Sequence, residues 1–174
     1  VRRFPVIYYL PGFPGGGRSA LNTKLWTENI VERFDRLIAE KKAKEAVLVI
    51  PACATAYGGS QYLNSSATGR YEDHLIDELV PYIEDKFAVC RSAEGRGVMG
   101  KSSGGFGALT LGMRHPDVFG HVASHSGDMF FELSYRLDLA KFVGALHAYG
   151  GSAEAFVKAF RASRDKEGFD HASI

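Results

Sequence analysis

The segment GKSSG at residues 100–104 constrains the fold more than any other part of the sequence. A short apolar run, GVMG, overlaps its start, and small residues at helical spacing follow it up to Arg114. A serine between glycines in this context is typical of a sharp strand–turn–helix joint, where small side chains let the strand and the helix approach closely. We therefore predict that Ser102 stands at the carboxyl edge of a sheet with its hydroxyl exposed.

Elsewhere, short apolar runs alternate with longer amphipathic segments, which predicts strands separated by helices. The predicted strands lie at 4–10, 47–50, 97–100 and 121–126. The predicted helices lie at about 23–43, 70–87, 104–114 and 134–163, and Pro81 should kink the second or start a new segment. Strands separated by helices form βαβ units, whose right-handed crossovers place the strands parallel in one sheet. The predicted fold class is therefore α/β, with a parallel sheet of about four strands and helices on both faces.

Composition argues against several classes of protein. Of the 174 residues, 21 are Lys or Arg and 20 are Asp or Glu, whereas a nucleic-acid partner usually requires a clustered basic excess. No apolar run reaches the roughly 18 residues of a membrane span. The two cysteines lie far apart and imply neither a disulfide framework nor a zinc site. We expect no cofactor and no metal, and the lack of a visible leader slightly favours a cytoplasmic location.

Residues 95–102 (GRGVMGKS) also match the phosphate-binding P-loop pattern G-x-x-x-x-G-K-[ST]. That loop requires a strand before its first glycine and an irregular cradle up to the lysine. Here a polar turn comes before Gly95, and the apolar strand lies inside the pattern. A P-loop nucleotide binder is therefore the less favoured alternative.

The joint at Ser102 also predicts chemistry. An exposed serine hydroxyl at such a turn is a candidate nucleophile, and nearby backbone amides can stabilise negative charge. The loop after the first predicted strand can supply one amide, and the residue after the serine can supply the other. The candidates are the amides of Phe13 and Ser103, because Pro14 has no N–H.

Three segments resemble a known family: VIYYLPGF, GGSQYLNSSATGRYEDHLIDELVPYIEDKF and GVMGKSSGGFGALTLGMRHPDVFGHVASHSGD. They are similar to the "Putative esterase" branch of the α/β-hydrolases, which includes esterase D (S-formylglutathione hydrolase), enterochelin-esterase-like proteins and the mycolyltransferases. The resemblance implies a serine esterase that acts on small-molecule esters or thioesters through an acyl-enzyme. By motif, Ser102 falls on the nucleophile, and the Phe13 and Ser103 amides fall on the oxyanion hole.

Members of this family are longer, with additional strands before the first strand found here and after the last. We therefore interpret the sequence as truncated at both ends, with residues 1–128 forming a partial hydrolase core and residues 129–174 a helical cap or insertion. Open sheet edges would favour a homo-oligomer. A catalytically incomplete protein that only binds a ligand or partner is the main alternative to the enzyme.

Two residues are candidates for completing a catalytic triad within this chain. Asp128 follows the last predicted strand, a position that some α/β-hydrolases use for the acid, and His171 follows Ser102 in the required order for the base. A base must come within hydrogen-bond distance of the serine. The alternative is that His171 is a solvated tail residue and that His125 packs at a strand end.

The long loop at residues 52–69 follows the carboxyl end of the second predicted strand, where α/β sheets bind ligands. Tyr57, Gln61 and Tyr62 of this loop, together with His125, are the candidate substrate-binding residues. A surface loop stabilised by its own side chains is an equally good interpretation of this segment.

Overall fold

A computed structural model of the protein describes residues 2–14, 16–23 and 25–167. The chain divides between Asp128 and Met129 into two compact units. The first contains all the strands of the described chain, and the second is helical. The assignment of the second unit as a cap stays a prediction.

The secondary structure of the first unit follows the predicted alternation. Its strands are β1 (Val6–Leu10), β2 (Val47–Val49), β3 (Ala54–Thr55), β4 (Gly58–Gly59), β5 (Asn64–Ser65), β6 (Gly69–Arg70), β7 (Arg96–Lys101) and β8 (His121–His125). Its α-helices are α1 (Ile30–Ala39), α2 (Tyr71–Asp73), α3 (Val80–Lys86) and α4 (Ser103–Arg114). A π-helical segment, His74–Leu79, joins α2 to α3, and short 3-10 turns lie at Gly17–Leu21 and Ala93–Gly95.

Four of these strands form one parallel sheet in the order β2-β1-β7-β8. The other four form two small antiparallel hairpins, β3–β4 and β5–β6, within the long loop after β2. The predicted α/β class and the parallel sheet of four strands are therefore confirmed.

The two faces of the sheet are covered differently. Tyr8 of β1 and Val98 of β7 are buried in a core that includes Leu111 of α4 and Leu75 of the π-helical segment. On the opposite face, Tyr9, Met99 and Ala123 border a cleft of about 520 Å³, which Ile30 and Arg33 of α1 also line. Helices thus lie on both faces, as predicted, but α1 has no fully buried residue.

The predicted helix over residues 23–43 is too long. Asn29 ends the preceding loop, and its side-chain oxygen accepts the amides of Val31 and Glu32, each over 3.0 Å. The Glu32 carboxylate accepts the Asn29 amide in return, over 2.9 Å. This capping box starts α1 at Ile30. Trp26, an apolar residue within the predicted range, lies before this start and is 92% exposed.

The helix predicted over residues 70–87 is present, but it changes its hydrogen-bond pattern. The π-helical segment precedes Pro81, which lies in the first turn of α3. A proline has no N–H to donate and crowds the preceding turn, so it is best tolerated where a helical segment begins. Of the two expected outcomes, a kink or a new segment, the structure shows a new α-helical segment, which begins one residue before Pro81.

The helices of the second unit are α5 (Phe131–Ser134), α6 (Arg136–Leu146) and α7 (Ala153–Glu167), with a 3-10 turn at His147–Tyr149. Ser152 caps α7 by accepting the Ala155 amide over 3.1 Å. Phe156 contacts the rings of Phe142, Tyr149 and Phe160. Across the described part of the chain, no helix is long and apolar enough to cross a membrane.

Tyr8 gives a test of this packing. Its side chain is 1% exposed, and its hydroxyl has no hydrogen-bond partner among the described residues. Burial raises the pKa of Tyr8 to about 12. Because an unpaired buried hydroxyl costs about 1–3 kcal/mol, we expect Tyr8→Phe to raise the free energy of unfolding by about 1 kcal/mol in urea titrations. A loss of stability would contradict this account of the core.

Candidate active site

Ser102 occupies the turn between β7 and α4 in a backbone conformation that residues other than glycine rarely adopt. Its φ is 56° and its ψ is −123°, which is strained for any residue other than glycine. The Ser102 amide donates to the His125 carbonyl over 3.0 Å, and the Ser102 carbonyl accepts the amides of Phe106 and Asp128 over 3.0 and 3.2 Å. These hydrogen bonds tie the turn to both β8 and α4, so the surrounding structure maintains the strained conformation.

Glycines allow the turn to pack against the end of β1. A Cβ on Gly104 would overlap the Leu10 carbonyl, and a Cβ on Gly100 would overlap the Gly104 carbonyl. Gly12, in the loop after β1, is so close that its Cβ would lie 3.2 Å from the Cβ of Ser102. The loop after β1 and the start of α4 therefore meet beside Ser102.

This contact brings together the two segments that carry the candidate oxyanion donors. Ser103 is the first residue of α4, and amides in the first turn of a helix have no intrahelical acceptor. Phe13 follows Gly12, and its ring lies against the backbone of Gly58 and Gly59 in the β3–β4 hairpin. A Cβ on Gly59 would lie 2.8 Å from the Phe13 ring. The sequence analysis missed this pair of glycines, although adjacent glycines in a loop rich in aromatic residues are a visible signal.

Asp128 contacts the candidate nucleophile directly. The Ser102 hydroxyl donates a hydrogen bond to Oδ1 of Asp128 over 3.1 Å, and both side chains are half-buried. In a Ser-His-Asp triad, the acid instead orients the histidine. The assignment of Asp128 as the acid of a catalytic triad therefore stays a prediction. His171, the predicted base, lies outside the described residues.

The candidate substrate-binding residues differ in burial and in the elements that carry them. Tyr57 and Gln61 are half-buried in the long loop, and His125 is exposed at the end of β8, where it lines the cleft beside α1. Their roles stay predictions. Tyr62 requires a correction: it is 3% exposed, and its hydroxyl donates to the Pro11 carbonyl over 2.6 Å. This contact with the chain's own backbone replaces the substrate contact predicted for Tyr62.

The P-loop interpretation is wrong, because β7 runs through the pattern. Arg96 begins this strand with a buried side chain that contacts Glu84 and the Val118 carbonyl. Residues 96–101 are therefore extended within the sheet and cannot wrap around a phosphate. Among the described residues, no cluster of His, Cys, Asp and Glu could hold a metal ion.

The comparison with protein families agrees with this geometry. The family model described as "Putative esterase" matches residues 1–150. The chain belongs to this esterase family. An esterase of Mycobacterium tuberculosis is 34% identical over 129 residues, which are 72% of this chain and 26% of the mycobacterial protein.

Solved structures extend the comparison for this esterase-family chain. A ferulic acid esterase is 31% identical, with a TM-score of 0.56 over 72% of this chain and 47% of that structure. S-formylglutathione hydrolase from Staphylococcus aureus shares the fold, with 19% identity and a TM-score of 0.55 over 79% of this chain and 47% of that structure. The chain thus spans about half the length of these structures and about a quarter of the mycobacterial relative. The resemblance predicted from the sequence is confirmed.

The close packing at Gly104 can be tested against a matched glycine. We expect Gly104→Ala to lower the free energy of unfolding by about 1–3 kcal/mol in urea, because the added methyl overlaps the β1 backbone. Gly144→Ala in α6 is the control, since its Cβ would have no neighbour within 4 Å. Alanine favours a helix over glycine, so this change should stabilise by up to about 1 kcal/mol. Equal stability of the two variants would contradict the described contact.

Proposed function

We propose that this chain carries the catalytic centre of a serine esterase, which hydrolyses small-molecule carboxylic esters or thioesters through an acyl-enzyme on Ser102. The observation that carries the proposal is the strained turn at Ser102, with the loop after β1 packed beside it. A strained residue that the surrounding hydrogen bonds over-determine is typical of a functional site. Membership of the esterase family supports the same reaction class.

The proposed reaction has two steps. Ser102 Oγ attacks the acyl carbonyl and gives its proton to a base, and the C–O or C–S bond of the substrate then breaks, releasing an alcohol or thiol that takes up the proton. Water next attacks the Ser102 ester, which releases the carboxylic acid and restores the hydroxyl. In both steps, the amides of Phe13 and Ser103 donate to the negatively charged oxygen of the tetrahedral intermediate.

The proposed role of Asp128 follows from its hydrogen bond to the nucleophile. A carboxylate that accepts a hydrogen bond from the Ser102 hydroxyl fixes the direction of that hydroxyl, and its charge stabilises the base once that base is protonated. The base itself, predicted as His171, lies outside the described residues.

The relatives suggest which substrates to test first. One similar solved structure is a ferulic acid esterase and another, which shares the fold, is an S-formylglutathione hydrolase, so the two are named for an ester of an aromatic acid and for a thioester. We propose to compare p-nitrophenyl acetate, methyl ferulate and S-formylglutathione. The ratio of their kcat/KM values would show which of the three combinations of acyl group and leaving group the protein prefers.

One observation favours a second candidate function. The hydrogen bond of the Ser102 hydroxyl described above goes to a carboxylate, whereas an active serine needs a base to remove its proton. A protein of this fold that lacked such a base would bind an acyl ligand without turning it over. Saturable binding of one of the three substrates, without hydrolysis of any of them, would support this second function.

Replacing the nucleophile tests the proposal directly. We expect Ser102→Ala to lower kcat/KM by at least about 10³-fold on p-nitrophenyl acetate and to abolish labelling by a fluorophosphonate, because no hydroxyl remains to form the acyl-enzyme. Ser92→Ala is the matched control, since Ser92 is exposed before the amino end of β7. Equal activity or labelling of the Ser102 variant and the wild type would refute the proposal.

Asp128 requires a separate test. We expect Asp128→Asn, which keeps the size and one acceptor but removes the charge, to lower kcat/KM by about 10²-fold or more. Asp117→Asn, at an exposed position in the loop before β8, should leave the rate unchanged. A rate for the Asp128 variant within threefold of the wild type would show that its charge has no catalytic role.

A further inference from the structure

Tyr62 contacts both segments that carry the candidate oxyanion donors. Its hydroxyl donates to the Pro11 carbonyl, two residues before Phe13, over 2.6 Å. Its ring packs on α4 at Gly107, where a Cβ would lie 2.6 Å from the ring carbon Cδ2 and 2.9 Å from the Tyr62 Cβ. One buried side chain therefore bridges the loop after β1 and the helix that begins at Ser103.

The loop after β1 needs such a support. Gly12 separates Pro11 from Phe13, and the following residues include Gly16 and Gly17. Glycine restricts the backbone least of all residues, so the direction of the Phe13 amide is not determined by the loop sequence alone. A hydrogen bond to the Pro11 carbonyl orients the peptide plane just before Gly12 and limits the conformations that the Phe13 amide can adopt.

The side chain of Tyr62 is itself firmly held. Its backbone has a φ of 60°, in the left-handed region that residues with side chains rarely occupy. The Tyr62 amide donates to Ser60 Oγ over 3.2 Å. Burial raises the pKa of the Tyr62 phenol above its usual value, so the hydroxyl stays protonated and remains a donor at neutral and mildly alkaline pH.

Loss of this hydroxyl would leave a buried acceptor unsatisfied. Pro11 is buried, and a buried carbonyl without a donor is unfavourable. The loop could then rotate its Pro11 carbonyl toward solvent, and such a rotation would turn the Gly12–Phe13 peptide away from the position it holds beside Ser102. The consequence would fall on stabilisation of the oxyanion, not on the binding of the uncharged ester.

We propose that Tyr62 is a positioning residue of the oxyanion hole, which aligns the Phe13 amide with the Ser103 amide through its hydrogen bond to Pro11 and its contact with α4. This inference rests on the proposed esterase function. It assigns to the long loop after β2 a role in the rate of the chemical step, in place of a role in substrate binding for Tyr62.

The test compares Tyr62→Phe with Tyr8→Phe in the full-length protein. Both variants remove one buried phenol hydroxyl, but that of Tyr8 has no hydrogen-bond partner among the described residues. We expect Tyr62→Phe to lower kcat on p-nitrophenyl acetate by about 10-fold with KM within twofold, since a whole oxyanion donor contributes about 10²–10³-fold. The Tyr8 variant should match the wild type in both constants.

Two further measurements separate positioning from general destabilisation. Rates are expressed per active site, titrated to completion with a fluorophosphonate, so that unfolded protein does not count. The affinity for a trifluoromethyl ketone, which forms a tetrahedral adduct with the serine, should fall by the same factor as kcat/KM. If Tyr62→Phe lowers only the melting temperature, or raises KM at constant kcat, the inference is wrong.

The inference and the function on which it rests can fail separately. If the wild type hydrolyses the ester and Ser102→Ala does not, but Tyr62→Phe has the wild-type kcat, the positioning role alone is refuted. If the wild type neither hydrolyses the esters nor reacts with the fluorophosphonate, the esterase function is refuted, and the positioning role with it.

Discussion

The candidate site depends on one contact between backbones: the start of α4 lies directly on the carboxyl end of β1. Gly104 makes this possible, because any side chain there would overlap the Leu10 carbonyl. The contact determines where Ser102 sits and how near Gly12 comes to it. The strained backbone at Ser102 then follows from geometry, since the chain must reverse from strand to helix within a single residue.

The parts of the fold that the sequence could predict are those with strong local patterns. The apolar runs of β1 and β7 and the small residues of α4 can be recognised within short stretches of sequence, whichever elements they later pack against. The start of α1 was also visible in principle, because Asn29 and Glu32 have the spacing of a capping box. The exposed Trp26 was misleading, since an apolar residue at helical spacing suggests burial that does not occur here.

The site was less predictable because its contacts span long distances in the sequence. The hydrogen bond from Tyr62 to Pro11 joins residues 51 apart, and that from Ser102 to Asp128 joins residues 26 apart. No local pattern indicates either pairing. The motif therefore predicted which serine stands at the turn, whereas the partners of that serine and of the adjoining loop became visible only once the sheet and α4 were in place.

The packing of Phe13 on Gly58 and Gly59, together with the bond from Tyr62 to Pro11, makes the loop after β1 and the first part of the long loop a single mechanical unit. The β5–β6 hairpin that follows is exposed, and neither contact involves it. Neither of these two loop contacts therefore restricts the β5–β6 hairpin, which is held instead by the hydrogen bonds of Asn64 and Arg70 to Asp73, whereas changes at the glycine pair affect both loops together. Among relatives, length differences should accumulate in that outer hairpin, and an engineer grafting a new recognition loop should insert it there.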